Sequence, residues 1–246
     1  MTNFAELPWP EAERAYGGRF VALLPVGSTE AHGPHLPLAT DVILAEGMAE
    51  AAAALLRARG VGVLLLPSLA YGVTECASEF FGTISISAAT VKALVVEIAT
   101  SLQARDYAKL NLVNAHLEPA HRHALRAAAE AASAAGLPTL LPDLVRRVYA
   151  ARLGAEFQSG ACHAGDFEGS LLLALRPDLV REGARVTLPE NPVSLAAALA
   201  AGKQRFVAAG GPQAYFGAPA AASAESGRAL LRELAVIVAD EMEPAR

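Results

Sequence analysis

Short unbroken apolar runs alternate along this chain with longer stretches in which apolar residues recur every three or four positions. The runs are of strand length: RFVALLPV at residues 19–26, then residues 61–66, KLNLVN at 109–114 and residues 138–141. The first of them is a continuous apolar run bounded by Gly-Gly and Gly-Ser, so it reads as a strand covered on both faces, the parallel kind. The longer stretches read as helices. One runs from a cap at Thr40 or Asp41 to about Arg59, with Gly60 as its stop. Others cover residues 88–104, where Val91, Leu94, Val95 and Ile98 share a face, and residues 119–135, where Pro119 suits the first turn and Gly136 ends it. A short helix is expected at 11–16, and the less regular second half predicts further helices at 143–153, 167–175, 194–208 and 224–242. Strands alternating with helices of this length predict an α/β fold: three layers, a mainly parallel sheet with helices on both faces, in a single domain over residues 1–246.

In such a sheet ligands bind beyond the carboxyl ends of the strands. Two clusters of polar residues fall there. LLPVGSTEAHGPHLPLATD, at residues 23–41, delivers Glu30, His32, His35 and Asp41 after the first strand; NAHLE delivers His116 and Glu118 after the third. Glu30 with His32, and His116 with Glu118, are two residues apart, so in extended backbone each pair points one oxygen and one nitrogen to the same side. Asp41 adds a carboxylate with two oxygens, able to bridge two ions, although a helix N-cap explains that residue equally well. Glu30, His32, Asp41, His116 and Glu118 together suit two divalent ions, Zn²⁺ first, with Mn²⁺ or Fe²⁺ compatible with the same mixed N/O donors. A water bridging the ions would be acidified to hydroxide and attack a carbonyl. CHAGDFEGS, at 162–170, offers His163 as a proton shuttle to a leaving nitrogen and Glu168 to orient a metal ligand. His35, between prolines, suits a backbone hydrogen bond. The long connection at residues 67–81 is a candidate binding loop.

Composition narrows the partners. In 246 residues, 53% are hydrophobic, 18% are charged and the net charge is −5, so there is a core to build and no basic surface for nucleic acid or anionic membrane. No apolar run is long enough to span a bilayer. The opening MTNFAELPWPEAER is acidic where a signal peptide is basic and apolar, and Cys76 and Cys162 form no CxxC pair; a cytoplasmic protein is expected.

At these same residues the chain resembles the creatininase (creatinine amidohydrolase) family. LPVGSTEAHGPHLPLATD differs from the family's opening motif in one clear place, Ala31, and the likeness continues through LPSLAYGVTE, FFGTISIS, VNAH, HAGDFEGS and FGAPAAASAESG. The resemblance implies a creatininase-like α/β fold, a binuclear metal site and hydrolysis of a C–N bond in a small-molecule amide or cyclic amide. It also implies homo-oligomers, often hexamers. Glu30, His32, Asp41, His116 and Glu118 fall on metal-ligand positions, Asp41 bridging; His163, and Glu118 as well, fall on catalytic ones; Cys76 and Leu117 line the substrate pocket. The chain departs from creatininase itself at Leu117, between the His and the Glu, at Gly169, and in having Trp9 as its only tryptophan. Formamide deformylation and small-peptide hydrolysis are therefore carried alongside creatinine-type ring opening, and a non-catalytic, metal-stabilised ligand-binding protein is the alternative from another class.

Overall fold

The computed structural model describes residues 4–16, 20–105 and 107–242. Helix α1 (Trp9–Tyr16) precedes strand β1 (Val21–Val26); helix α2 (Thr40–Ala58) leads to β2 (Val63–Leu65), α3 (Ala88–Gln103) to β3 (Lys109–Asn114), and α4 (Pro119–Ala134) to β4 (Thr139–Leu140). After β4 come the short helices α5 (Arg147–Ala150) and α6 (Gly154–Ser159), then α7 (Asp166–Leu175), the short α8 (Glu182–Arg185), α9 (Leu195–Ala200) and α10 (Phe206–Ala209), and finally α11 (Ala224–Met242). The strands pair in parallel in the order β2-β1-β3-β4.

Each face of the sheet has its own core, as the unbroken apolar strands require. Val21 and Leu23 of β1 and Val113 of β3 face α2, α7 and α11, where Leu44, Met48, Leu171, Leu234 and Val238 are buried. Ala22, Leu24 and Val26, with Leu110 and Leu112, face Val91 and Val95 of α3 and Leu125 of α4. This is the three-layer arrangement expected from the sequence. Pro25 sits in a central strand without breaking the ladder because β2 has already stopped at Leu65 when Pro25 is reached. Its carbonyl accepts from Leu69 N–H at 3.0 Å.

Where the periodicity was short or blurred, the elements differ from expectation. The second and fourth strands shrink to three and two residues at the sheet edges. The helix expected at 194–208 is broken into α9 and α10, with exposed Gly202 and Lys203 between them. The one expected at 143–153 is a single turn, α5. Residue 19, assigned to the first strand by its apolar run, lies outside the described residues.

Topology fixes where the site lies. From β1 the chain passes to β2 on one side, then crosses back over β1 to reach β3 on its other side. The connections therefore leave in opposite directions at the carboxyl ends of β1 and β3, the point where open α/β sheets bind ligands. Val26 and Asn114, the last residues of the two strands, are register partners.

Candidate metal centre

Glu30 and His32 lie four and six residues past the end of β1, and His116 lies two past β3, which places them side by side. Asp41 arrives in the first turn of α2. It does not cap that helix: the N-cap is Ala39, with no side-chain cap. The Asp41 carboxylate instead accepts from Ser28 Oγ at 2.8 Å and faces the two histidines. This approach requires glycine at position 27, because a Cβ there would lie 2.5 Å from Val42 N and 2.7 Å from Asp41 C. The GST turn and Asp41 are thus one packed unit.

Three overlapping groups result: Glu30 with Asp41 and His116; His32 with Asp41 and Glu168; and Glu30 with His32 and His163. All six side chains are buried, none more than 6% exposed. In the first group His116 Nδ1 lies 3.3 Å from Glu30 Oε1 and 3.1 Å from Asp41 Oδ2. In the second, His32 Nε2 lies 3.2 Å from Asp41 Oδ1 and 3.6 Å from Glu168 Oε2. Donor atoms 2.0–2.2 Å from one tetrahedral ion stand roughly 3.3–3.6 Å apart, and the observed spacings of 3.1–3.6 Å come within about 0.2 Å of that range. His32 Nε2 is buried without an aligned hydrogen bond, an orphan that a metal bond would satisfy. The other imidazole nitrogens are held by backbone carbonyls: His32 Nδ1 on Glu30 O at 3.1 Å, His116 Nε2 on Val73 O at 2.8 Å, His163 Nε2 on Ala31 O at 3.0 Å. Thr74 Oγ donates to Glu30 Oε2.

The electrostatics are those of histidines and carboxylates buried against one another. Burial alone would raise Asp41 and Glu30, but the facing histidines hold Asp41 well below, and Glu30 below, the ordinary carboxylate value. Burial alone would lower His32 and His116; Asp41, Glu30 and, for His32, Glu168 reverse that, taking His32 to about 10 and His116 well above its usual value. Glu168, short of cations in its burial, is pushed up to about 8. Burial, with His32 beside it, lowers His163 to about 4, so its imidazole is neutral.

Glu118 is brought to the site but into none of the three groups. Its carboxylate accepts from the N–H groups of Glu75 and Cys76 at 3.2 and 3.0 Å, and burial raises its pKa. Glu168 changes place the other way. From the first turn of α7 it joins His32 and Asp41, and Ala164 N–H holds its Oε2 at 2.6 Å. The sequence offered Glu168 only as a group that orients a metal ligand; in the structure its carboxylate stands with His32 and Asp41 as a third donor. His35 is buried outside the groups, edge-on to Tyr215. Ser28 and the backbone of Val73 escaped attention because neither residue type signals a metal site.

The groups form the floor of a cavity of about 540 Å³. Cys76 and Leu117 line it with Glu118, His163, Leu199 and Phe206. Phe167 lies outside this lining and packs against Phe157, ring centroids 4.8 Å apart. Burial pushes both cysteine thiols up to about 12, so neither is a thiolate nucleophile.

The family model for creatininase, described as creatinine amidohydrolase, matches residues 5–241. The chain belongs to the creatininase family. It is 35% identical over 217 residues to a mycofactocin precursor peptide peptidase of Mycobacterium ulcerans, covering 86% of this chain and 80% of that protein. To a creatinine amidohydrolase of Pseudomonas putida it is 31% identical over 196 residues, covering 71% and 72%. Solved creatininases superpose over nearly the whole chain. A form designated Mn gives a TM-score of 0.72 at 25% identity, covering 97% of this chain and 96% of the other; a mutant of Zn–Zn type gives 0.71 at 25%, covering 98% of each. Among the described residues no helix is long and apolar enough to cross a membrane.

Proposed function

We propose that this creatininase-family chain is a metal-dependent hydrolase that holds two divalent ions and cleaves an amide C–N bond in a small peptide-type substrate. The observation that carries this reading is the pair of buried donor groups sharing one carboxylate, with Asp41 Oδ2 turned to His116 and Oδ1 to His32. Glu30, Asp41 and His116 would hold one ion; His32, Asp41 and Glu168 the other. Zn²⁺ and Mn²⁺ both suit such N/O donors, and solved relatives are designated by each. Divalent ions held by these residues would supply Lewis acidity, which would acidify a water and polarise the substrate carbonyl.

The protein's own groups do the rest. Glu118, raised by burial and facing the cavity, takes a proton from the water and passes it to the leaving nitrogen. The neutral His163, its Nε2 committed to Ala31 O, keeps Nδ1 toward Glu30 and the reacting centre. Leu117, Leu199 and Phe206 exclude water from the bond being cleaved.

For the substrate, two features favour a peptide-type amide over a small cyclic one. The cavity, about 540 Å³, is within the range of pockets that enclose drug-sized ligands. Among the described residues Arg122 is the one lysine or arginine lining it, and it suits a carboxylate beyond the scissile bond. One relative is named for acting on a precursor peptide, which agrees with this choice. The direct test is metal analysis of purified protein with hydrolysis of short peptides and of creatinine, before and after chelation. Two ions per chain and peptide cleavage that chelator abolishes and Zn²⁺ or Mn²⁺ restores are expected; full activity in chelator would sink the reading.

A further inference from the structure

A strap at residues 72–76, between β2 and α3, touches three of the side chains assigned above. Val73 O accepts from His116 Nε2, Thr74 Oγ donates to Glu30, and the N–H groups of Glu75 and Cys76 donate to Glu118. A loop without regular structure has to be pinned to aim three groups at once, and the pin is His121.

His121 lies at the start of α4, fully buried. Its Nδ1 accepts from Val73 N–H at 3.3 Å, and its Nε2 is 3.2 Å from Asn114 Oδ1. A backbone N–H can only donate, so Nδ1 is the acceptor and the ring proton is on Nε2, pointing at an oxygen able to receive it. Asn114 in turn holds the backbone of His116: Nδ2 donates to His116 O at 2.6 Å, and His116 N–H donates to Oδ1 at 3.3 Å. The strap lies so close to the His121 ring that a Cβ on residue 72 would be 2.7 Å from its Cε1 and Nδ1, which only glycine avoids. His121 therefore ties the strap that receives the His116 side chain to the residue that fixes the His116 backbone. With Val73 O in place, the proton of neutral His116 belongs on Nε2, and the lone pair on Nδ1 faces Glu30 and Asp41.

We propose that His121 is a positioning residue that fixes the tautomer and aim of His116 through the Val73 strap, and so sets metal affinity without touching metal or substrate. The proposal rests on the reading that the cluster holds divalent ions. Partners behind metal-ligating histidines typically account for about 10–100-fold in metal affinity.

The test titrates Zn²⁺ into chelator-treated protein against a chromophoric competitor, for wild type, His121→Phe, His121→Asn and His121→Gln. His121→Phe keeps the ring and loses both polar atoms; the tightest Zn²⁺ binding should weaken about 10–100-fold while circular dichroism is unchanged. His121→Asn, which retains an acceptor where Nδ1 was, should recover most of the loss, and His121→Gln, whose polar atoms reach only toward Asn114, should recover less. Nitrogen-15 spectra of the Zn²⁺-loaded wild type should place the His116 proton on Nε2, and that order should blur in His121→Phe. Affinity unchanged in His121→Phe overturns the proposal and makes His121 a packing residue. If that variant does not fold, equal affinities for the Asn and Gln variants overturn it instead. A wild type that binds no Zn²⁺ removes the metal reading itself, and this proposal with it.

Discussion

The floor and the wall of the cavity are built by different means. The floor side chains come from the ends of β1 and β3 and the first turn of α2, are nearly all inaccessible to solvent, and are each held by a second protein group: Ser28 on Asp41, Thr74 on Glu30, Val73 O on His116. The wall comes mostly from residues 145–206, from loops and from helices of four to six residues such as α5, α9 and α10, and is completed by Cys76, Leu117 and Arg122. Central parallel strands fix the floor atoms to within a hydrogen bond, whereas single helical turns tolerate change. The bond chemistry belongs to the floor and the choice of substrate to the wall. If that division holds, substitutions in the two regions fail in different ways.

The largest failure should follow Asp41→Asn. Both donor groups lose their shared carboxylate, so metal content should fall from two ions to one or fewer. Turnover should drop on the order of 10³–10⁴-fold, the scale of losing several kcal/mol of Lewis-acid stabilisation. Metal analysis and single-substrate kinetics read both. Two tightly held ions in Asp41→Asn would break the division at its base.

Two glutamates cross between the regions and should separate in the next measurement. Glu168 starts a helix yet reaches His32 at 3.6 Å; Glu118 follows a strand yet turns to the strap. Glu168→Gln should release one ion. Glu118→Gln should keep both and lose roughly 10²–10⁴-fold in turnover as a proton carrier. The reverse outcome, with the Glu118 variant losing metal, would return Glu118 to the ligand set that its spacing from His116 first suggested.

That exchange marks how far the sequence could be read. The strands at 21–26 and 109–114 and the donors just past them were legible because short strand-length segments between helical stretches and two-residue spacing are local signals. The place of Asp41 was half legible: a cap and a ligand look alike in sequence, and only the close approach at Gly27 decides between them. Glu168 and the 67–81 connection were legible only as neighbours of the site, and His121 not at all, since a carboxylate on α7 and a carbonyl at Val73 meet the floor only through tertiary packing. The division of residues 194–208 was missed because alanine-rich sequence favours helix everywhere and leaves the break to its surroundings.

A pH measurement sharpens the floor. In the metal-free protein His32 titrates near 10, His116 well above its usual value and Glu168 near 8, so at pH 7 all three carry protons. Metal entry requires them to leave. Affinity should rise with pH between 6 and 8, about tenfold per unit for each proton displaced, and calorimetry in two buffers of different ionisation enthalpy should count at least one proton released per chain. A flat profile with no proton release would mean these side chains are not the donors.

The smallest effect tests the wall. Arg122 gives Nε and Nη2 to Asp143, at 2.7–3.1 Å, and Arg126 gives its Nη2 to the same carboxylate at 2.7 Å. Two guanidinium groups on one carboxylate leave a net positive charge, and Arg122, one helical turn past Glu118, brings it to the cavity. A salt bridge with no surplus would serve only to brace α4 against the segment after β4. A surplus beside the reacting centre serves a ligand anion as well. With peptides differing only at the carboxyl terminus, Arg122→Ala should raise KM about tenfold for the free acid, leave KM for the terminal amide unchanged, and lower kcat by less than about threefold for both. Equal losses on acid and amide would show that Arg122 merely stiffens the wall, and the preference for a peptide end would then have to come from the apolar residues around it.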